Sequence, residues 1–350
     1  MGEHRGRGEA APAWWIGESS LARAKAELDG LAASAERNVS AILNEMLAFD
    51  SKDNITLQPQ TLLLRVNTAH RRFLETCSDE PGPSVTAALQ SSLLDLIGRY
   101  HGIAAWKILA AGFQTTETAP LIQARPLALL IAGAKSSDLR LAARNAAGRG
   151  YTTLKVKVGN LAPSADIARV RAVLEETPRE VRLRLDANRS WSLAQFQEFA
   201  TAAQHPRVEF VEEPLATEDA DSVSWLGREC PLPVAFDESI QHRQDLERIA
   251  KLGIGDVVVL KTARLGGPIA TVGLACRARE LGLRIVITDS IETSVGQAAA
   301  LHTAAVVCDP DTAVGLGGAA MLCEDGTTAT TPSARIPGPG LRIENAARNR

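Results

Sequence analysis

Beyond residue 126 the chain alternates between short apolar runs and longer stretches in which apolar residues recur every three or four positions. The short runs are LALLIAG (127–133), LKVKV (154–158), RLRLD (182–186), VEFVEEP (208–214), VAFDE (234–238), DVVVLK (256–261), LRIVITDS (283–290) and TAVGLGG (312–318). Between them the spacing predicts helices over 164–176, 192–204, 219–228, 243–252, 269–281 and 297–307. Apolar strands separated by helices form parallel βα units with both sheet faces covered. Eight such strands favour a closed (β/α)8 barrel over an open doubly wound sheet. Neither glycine-rich phosphate-loop spacing follows any of the strands, which argues against a nucleotide-binding fold.

The first part of the chain has a weaker pattern. Helical periodicity after a serine cap predicts a helix over Ser19–Leu31, and a second amphipathic helix over Asn38–Phe49. Leu62–Val66 reads as a short apolar strand, and Ser84 to Gly102 as a strongly apolar helix stopped by glycine. Asp95 lies among that helix's apolar residues, where capping or ion pairing is expected of it. At the other end, IPGPGLRIEN reads as a turn and one short strand leaving the barrel.

Chemistry enters at the strand ends. In LKVKV, side chains alternate between faces, so Lys155 and Lys157 share one face and their ammonium groups repel. Such repulsion eases deprotonation and makes a lysine a usable general base. Charged residues then recur once per βα unit. Lys157, Asp186, Glu212, Asp237 and Lys261 follow one another at steps of 29, 26, 25 and 24 residues. In a barrel, the C-terminal ends of successive strands converge on one mouth. Asp186 or Asp237 alone reads equally well as a helix N-cap, but three carboxylates on three consecutive strands between flanking lysines do not. Oxygen ligands that leave room for water and substrate suit Mg²⁺ or Mn²⁺, and no histidine at these positions argues for zinc. Asn188, Glu213 and Glu238, adjacent to these residues, are expected to support them.

Composition narrows the class. The 350 residues are 45% hydrophobic, enough for a large core, and the net charge of -3 offers no basic surface for nucleic acid. No apolar run approaches the roughly 18 residues that cross a bilayer, and the first residues lack a secretory h-region. Five scattered cysteines without a C-x-x-C spacing fit reduced thiols. These features predict no membrane partner and a cytoplasmic location, or a plastid one in a photosynthetic eukaryote.

The motifs K-V-K, L-D-A-N-R-S-W, F-V-E-E-P, F-D-E-S, V-V-L-K and D-S-I-E-T-S-V-G together resemble the enolase superfamily in its muconate-lactonising branch. Within that branch, D-A-N-R-S-W and S-I-E-T-S are most similar to the o-succinylbenzoate synthases. The resemblance covers about Pro83 to Glu324. It implies Asp186, Glu212 and Asp237 as ligands of Mg²⁺ (or Mn²⁺), Lys157 as the base and Lys261 as a cation on the opposite side. Lys155 would lie against the carboxylate of a small-molecule substrate, with Ser290, Thr293 and Ser294 near its succinyl tail. The implied reaction is dehydration of 2-succinyl-6-hydroxy-2,4-cyclohexadiene-1-carboxylate to 2-succinylbenzoate. N-succinylamino acid racemisation or a related epimerisation is the alternative on the same scaffold, and a non-catalytic binding or assembly subunit is an alternative of another class. The family also implies an α+β capping domain, here residues 1–125, before a barrel at 126–323 and a segment at 324–350 returning to the cap. The β-meander that opens such a cap is not found before GRGEAAP, so the cap is expected to be truncated. Asp289 stands where that branch more often carries a small neutral residue, and the motif gives it no role.

Overall fold

The protein is described by a computed structural model over residues 5–12, 20–35, 39–47, 58–77, 79–113, 124–216, 219–317, 333–336, 338–341 and 344–345. Helices α1 (Leu21–Ala35), α2 (Val39–Leu47), α3 (Pro59–Leu74), α4 (Pro83–His101) and α5 (Ala105–Gly112) come first. After β1 (Arg125–Pro126), which belongs to a separate small sheet, the barrel units follow as β2 (Ala128–Ile131), α6 (Ser136–Gly148), β3 (Thr153–Lys157), α7 (Pro163–Glu176), β4 (Arg182–Asp186) and α8 (Leu193–Ala203). They continue through β5 (Val208–Glu212), α9 (Ala220–Arg228), β6 (Val234–Phe236), α10 (Arg243–Leu252), β7 (Val257–Leu260), α11 (Pro268–Glu280), β8 (Arg284–Ile287) and α12 (Ser294–Val307). Strands β9 (Ser333–Arg335) and β10 (Glu344–Asn345) end the described chain.

Strands β2 to β8 form one parallel sheet in sequence order. Residues 313–316 close it. Val314 bridges to Leu127 beside β2 and Gly315 to Thr288 beyond β8, both parallel. The Ala128 amide donates to the Val314 carbonyl (2.9 Å) and the Asp289 amide to the Gly315 carbonyl (2.8 Å), so the expected eighth strand is a short closing segment. Registers Lys155↔Arg184↔Phe210 and Lys157↔Asp186↔Glu212 place these residues in rows facing the barrel interior. The interior is packed rather than hollow: Phe210, Ala235, Val257, Val259 and Val286 form a separate cluster, with the Arg184 guanidinium 5.2 Å over the Phe210 ring. Leu154, Val156, Leu183 and Leu185 point the other way, into the larger core beneath the helices. This alternation fixes which charges reach the mouth.

The N-terminal helices correct two readings. Leu62–Val66 is not a strand but part of α3, whose buried Leu62, Leu63, Val66, Ala69 and Phe73 recur at helical spacing over a longer window than the apolar run suggested. Helix α5 was missed altogether. Its Ala105, Ile108 and Leu109 form a short buried stripe without a side-chain cap to announce it. Helix α4 stops as expected, at Gly102 with φ 69°. The strand expected within IPGPGLRIEN is β10, and a further short strand, β9, precedes that stretch and pairs antiparallel with both β1 and β10. The start of the first predicted helix at Ser19, the end of the second at Phe49 and the expected boundary at 323–324 lie outside the described residues.

Buried side chains tie the helical part to the barrel. Asp95 accepts from the Arg7 amide (3.0 Å), the Leu341 amide (2.8 Å) and Arg99 Nε (2.8 Å), joining both ends of the chain to α4. Gln90 Oε1 accepts from the Ile269 amide (2.7 Å) in the first turn of α11. On α12, His302 Nδ1 accepts from the Trp106 amide (3.1 Å).

Candidate active site

Strands β3 to β7 bring the lysines and carboxylates together at one end of the barrel. Lys155 Nζ donates to both oxygens of Glu212 at 2.8 Å and lies 2.7 Å from Asp186 Oδ2. Lys157 Nζ donates to the same Asp186 oxygen at 2.7 Å and to Asn188 Oδ1. Across the mouth, Lys261 Nζ donates to Asp237 Oδ2 (2.6 Å) and Arg264 Nη1 to Asp237 Oδ1 (2.6 Å). The three carboxylates are buried, while the Lys157 side chain is 39% exposed. In the eight-membered strand order, β3 is second and β7 sixth, so Lys157 and Lys261 stand on opposite sides of the mouth.

Electrostatics distinguish the paired lysines. Burial alone would lower the Lys155 ammonium, but Glu212, Asp186 and Asp237 outweigh it and hold Lys155 well above the ordinary lysine value. Mutual repulsion therefore does not make Lys155 a base, because Asp186 and Glu212 lie 2.7 and 2.8 Å from its ammonium. Burial raises Asp186, and Lys155 and Lys157 overcome this to hold it low; Lys261 and Arg264 do the same for buried Asp237. Glu212 goes the other way, pushed up to about 8 by burial and by the neighbouring Asp186 and Asp237. Burial, then Glu238, raises Glu213 to about 7.

The second residues of the acidic pairs have different surroundings. Glu213 Oε1 accepts from the Asp237 and Ser239 amides, both at 2.8 Å, and its Oε2 from the Ser239 hydroxyl (2.8 Å). It thereby fixes the turn that carries Asp237. Glu238 is half-buried and raised by burial and by Asp237. Neither Asp186 nor Asp237 caps a helix; Ser192 caps α8 with a capping box closed by Gln195.

The β8 side is arranged otherwise. Ser290 is buried at the mouth with no partner for its hydroxyl. The Thr293 amide (2.9 Å) and hydroxyl (2.5 Å) both donate to Glu9, which also accepts from the Gly296 amide (2.9 Å), and Ser294 is exposed in the first turn of α12. Asp289 points between β8 and α12, where its Oδ2 accepts from Gln297 Nε2 (2.8 Å). Gln297 Nε2 also donates to the Leu316 carbonyl (3.2 Å), which links Asp289 to the segment that closes the barrel. Sequence reasoning missed Arg264 and Glu9. Arg264 lies one turn past Lys261 (Arg264 amide to Lys261 carbonyl, 3.1 Å), a spacing that could have flagged it. The position of Glu9 depends on a contact 284 residues away, for which the sequence carries no signal.

Backbone strain marks the same end of the molecule. Among the described residues, the non-glycine positions with positive φ are Asn188 (43°), Arg189 (59°), Glu213 (43°) and Ile291 (63°). All lie just past the C-terminal ends of β4, β5 and β8. Such conformations persist where surrounding structure over-determines them, and they cluster at functional sites.

Residues 138–334 match the family described as Enolase C-terminal domain-like. A parallel barrel with charged residues gathered at its C-terminal mouth is the architecture of this class, and the chain belongs to the enolase C-terminal domain-like family, within the enolase superfamily that its motifs resemble. The chain is 37% identical over 186 residues to the o-succinylbenzoate synthase of Thermobifida fusca, covering 53% of this chain and 57% of that protein. It is 23% identical over 223 residues to the N-succinyl-L-Arg/Lys racemase of Bacillus cereus, covering 63% and 58% respectively. The chain thus spans under two thirds of the length of these curated relatives. In fold it is similar to the dipeptide epimerase of Enterococcus faecalis V583 solved with Mg and L-Leu-L-Tyr, with TM-score 0.74 and 23% identity over 97% of this chain and 88% of that one.

Proposed function

We propose that the protein is an o-succinylbenzoate synthase, dehydrating 2-succinyl-6-hydroxy-2,4-cyclohexadiene-1-carboxylate to 2-succinylbenzoate on the route to menaquinone or phylloquinone. The reading is supported by the higher identity to an o-succinylbenzoate synthase (37%) than to a racemase (23%), together with Lys157 and Lys261 on opposite sides of a mouth floored by Asp186, Glu212 and Asp237. Three buried carboxylates on neighbouring strands are hard oxygen donors whose chemistry suits a divalent cation, although among the described residues no three are gathered around one point: Lys155 lies between Glu212 and Asp186, while Lys261 and Arg264 hold Asp237. In this reading Asp186, Glu212 and Asp237 hold Mg²⁺, with Asn188, Glu213 and Glu238 supporting them. When bound, the ion supplies Lewis-acid stabilisation of the charge that develops on the substrate carboxylate.

The remaining steps fall to the chain's own side chains. Lys155, fixed as an ammonium, orients the substrate carboxylate. Lys157 Nζ, steered by Asp186 and Asn188, takes the proton α to that carboxylate and returns it to the hydroxyl that departs from the same face. No net proton is gained or lost, and water leaves. Lys261, locked by Asp237, faces the other side of the ring as a cation. Aromatisation makes the elimination downhill, so the demand on the enzyme is chiefly positioning.

A second reading has one observation in its favour: lysines on opposite faces also suit racemisation of an N-succinylamino acid. Incubation with the cyclohexadiene substrate and Mg²⁺, followed by absorbance, with N-succinylamino acids in parallel, separates the two. Failure to form 2-succinylbenzoate alongside racemisation would reverse the assignment.

A further inference from the structure

Arg189 is the mouth cation that the proposed reaction leaves without work. Lys155, Lys157, Lys261 and Arg264 each hold a buried carboxylate. The Arg189 guanidinium has no hydrogen bond among the described residues. Its closest acid is Glu213, 4.0 Å from Nε, and that carboxyl is already engaged by the Asp237 and Ser239 amides and the Ser239 hydroxyl.

The backbone nevertheless holds Arg189 firmly in place. Asn188 and Arg189 are two consecutive left-handed residues, a conformation disfavoured wherever a Cβ is present. The turn is fixed from both sides: the Asn188 amide donates to Asp186 Oδ1 (3.1 Å), the Arg189 amide to the Glu213 carbonyl (2.7 Å) and the Trp191 amide to the Pro214 carbonyl (3.3 Å). Rigid backbone therefore presents a 43% exposed guanidinium at the rim, three residues after Asp186 and next to the asparagine that holds Lys157. A planar fork of N–H donors matches a carboxylate in a bidentate pair.

The opposite rim suits an anion poorly. Asp289 directly precedes Ser290, and the amide and hydroxyl of Thr293 are taken by Glu9. A carboxylate entering there would meet Glu9 on the Thr293 donors, with the buried Ser290 hydroxyl still open to it.

We propose that Arg189 is a specificity-determining residue that binds the distal carboxylate of a dicarboxylate substrate, the one remote from the reacting carbon. This inference rests on the dehydratase reading for the identity of that substrate. The test measures equilibrium binding in Mg²⁺ by calorimetry, using 2-succinylbenzoate and 2-butanoylbenzoate, which carries a methyl group in place of the distal carboxylate. Arg189→Gln should weaken 2-succinylbenzoate by about 10–100-fold, the range for a hydrogen bond to a charged group, and leave 2-butanoylbenzoate within about threefold. Arg189→Gly should show the same selective loss with a Tm unchanged or raised, because glycine accepts the left-handed backbone. A merely structural arginine would lower Tm and weaken both ligands alike, and that result would overturn the proposal. So would a wild type that fails to distinguish the ligands. Selective loss in a protein that does not dehydrate the cyclohexadiene substrate would refute the proposed reaction but not the clamp. Normal dehydration with no selective loss would refute the clamp alone.

Discussion

Glu292 offers a direct reading of burial as pH-dependent stability. It is 1% exposed, neither carboxyl oxygen has a partner of normal hydrogen-bond geometry, and a Cβ on Gly296 would come within 2.7 Å of it. Burial, then Asp289 and Glu9, pushes it from the ordinary 4.5 up to about 8; the Ser290 amide and Lys261 oppose this only in part. The folded chain therefore holds this proton over a range in which the unfolded chain has released it. The resulting stabilisation is fully present below the unfolded value of 4.5 and is lost as pH rises towards 8. At about 1.4 kcal/mol per unit, the loss between pH 5 and pH 8 is about 3–4 kcal/mol. Glu292→Gln keeps the shape and stays neutral, so it should gain that much on the wild type across the same window. Urea unfolding of both proteins at pH 5, 6, 7 and 8 measures the difference, and other titrating groups cancel. A constant difference across the four pH values would refute the buried neutral acid.

Three further outcomes follow from the site and the core. Asp186→Asn removes the charge of a proposed Mg²⁺ ligand and loosens both Lys155 and Lys157, so Mg²⁺ affinity by calorimetry should fall more than the roughly 10–100-fold typical of lost supporting residues. Undiminished turnover in EDTA would contradict metal assistance. Lys157→Arg should cost about 10²–10⁴-fold in dehydration while Lys261→Arg retains more, since only the first must exchange a proton; equal collapse of both in folded protein would refute a single base. Trp191→Ala should cost about 3–5 kcal/mol in urea unfolding, because the ring is 1% exposed and packs on Phe199 at 4.4 Å and Phe196 at 5.7 Å.

The barrel and the gathering of its charges were legible because both rest on local, repeated signals. A period of two in the strands sets which side chains face inward, and one carboxylate or lysine per strand end needs only the βα spacing to reach the mouth. What the sequence left unread depends on long-range contacts. Leu62–Val66 looked like a strand because four apolar residues in a run of five cannot separate a strand from one turn of a buried helix, whereas α3 shows its period only across sixteen residues. The expected ease of deprotonation at Lys155 considered only its neighbour on the same strand. Carboxylates 2.7–2.8 Å away on β4 and β5 reverse the sign. Asp289 was unexplained for the same reason, since Gln297 and the closing segment that engage it lie on other elements.

The contacts that bind the N-terminal helices to the barrel fall on one side of it. Gln90 reaches the first turn of α11, Glu9 the first turn of α12, and the Trp106 amide His302 further along α12. Those helices follow β7 and β8. The residues proposed to hold the metal and move the proton sit instead at the ends of β3 to β6. Lys261, at the end of β7, is the exception, and it takes its position from Asp237 and shares that carboxylate with Arg264. The side of the mouth fixed by the N-terminal segment is thus the side with the unpartnered Ser290 hydroxyl, the strained Ile291 and the buried Glu292. Anchoring and the proposed proton transfer are divided between two halves of one barrel. A substitution that loosens Glu9 should therefore disturb ligand fit along β8 before it disturbs the lysine and carboxylate cluster across the mouth.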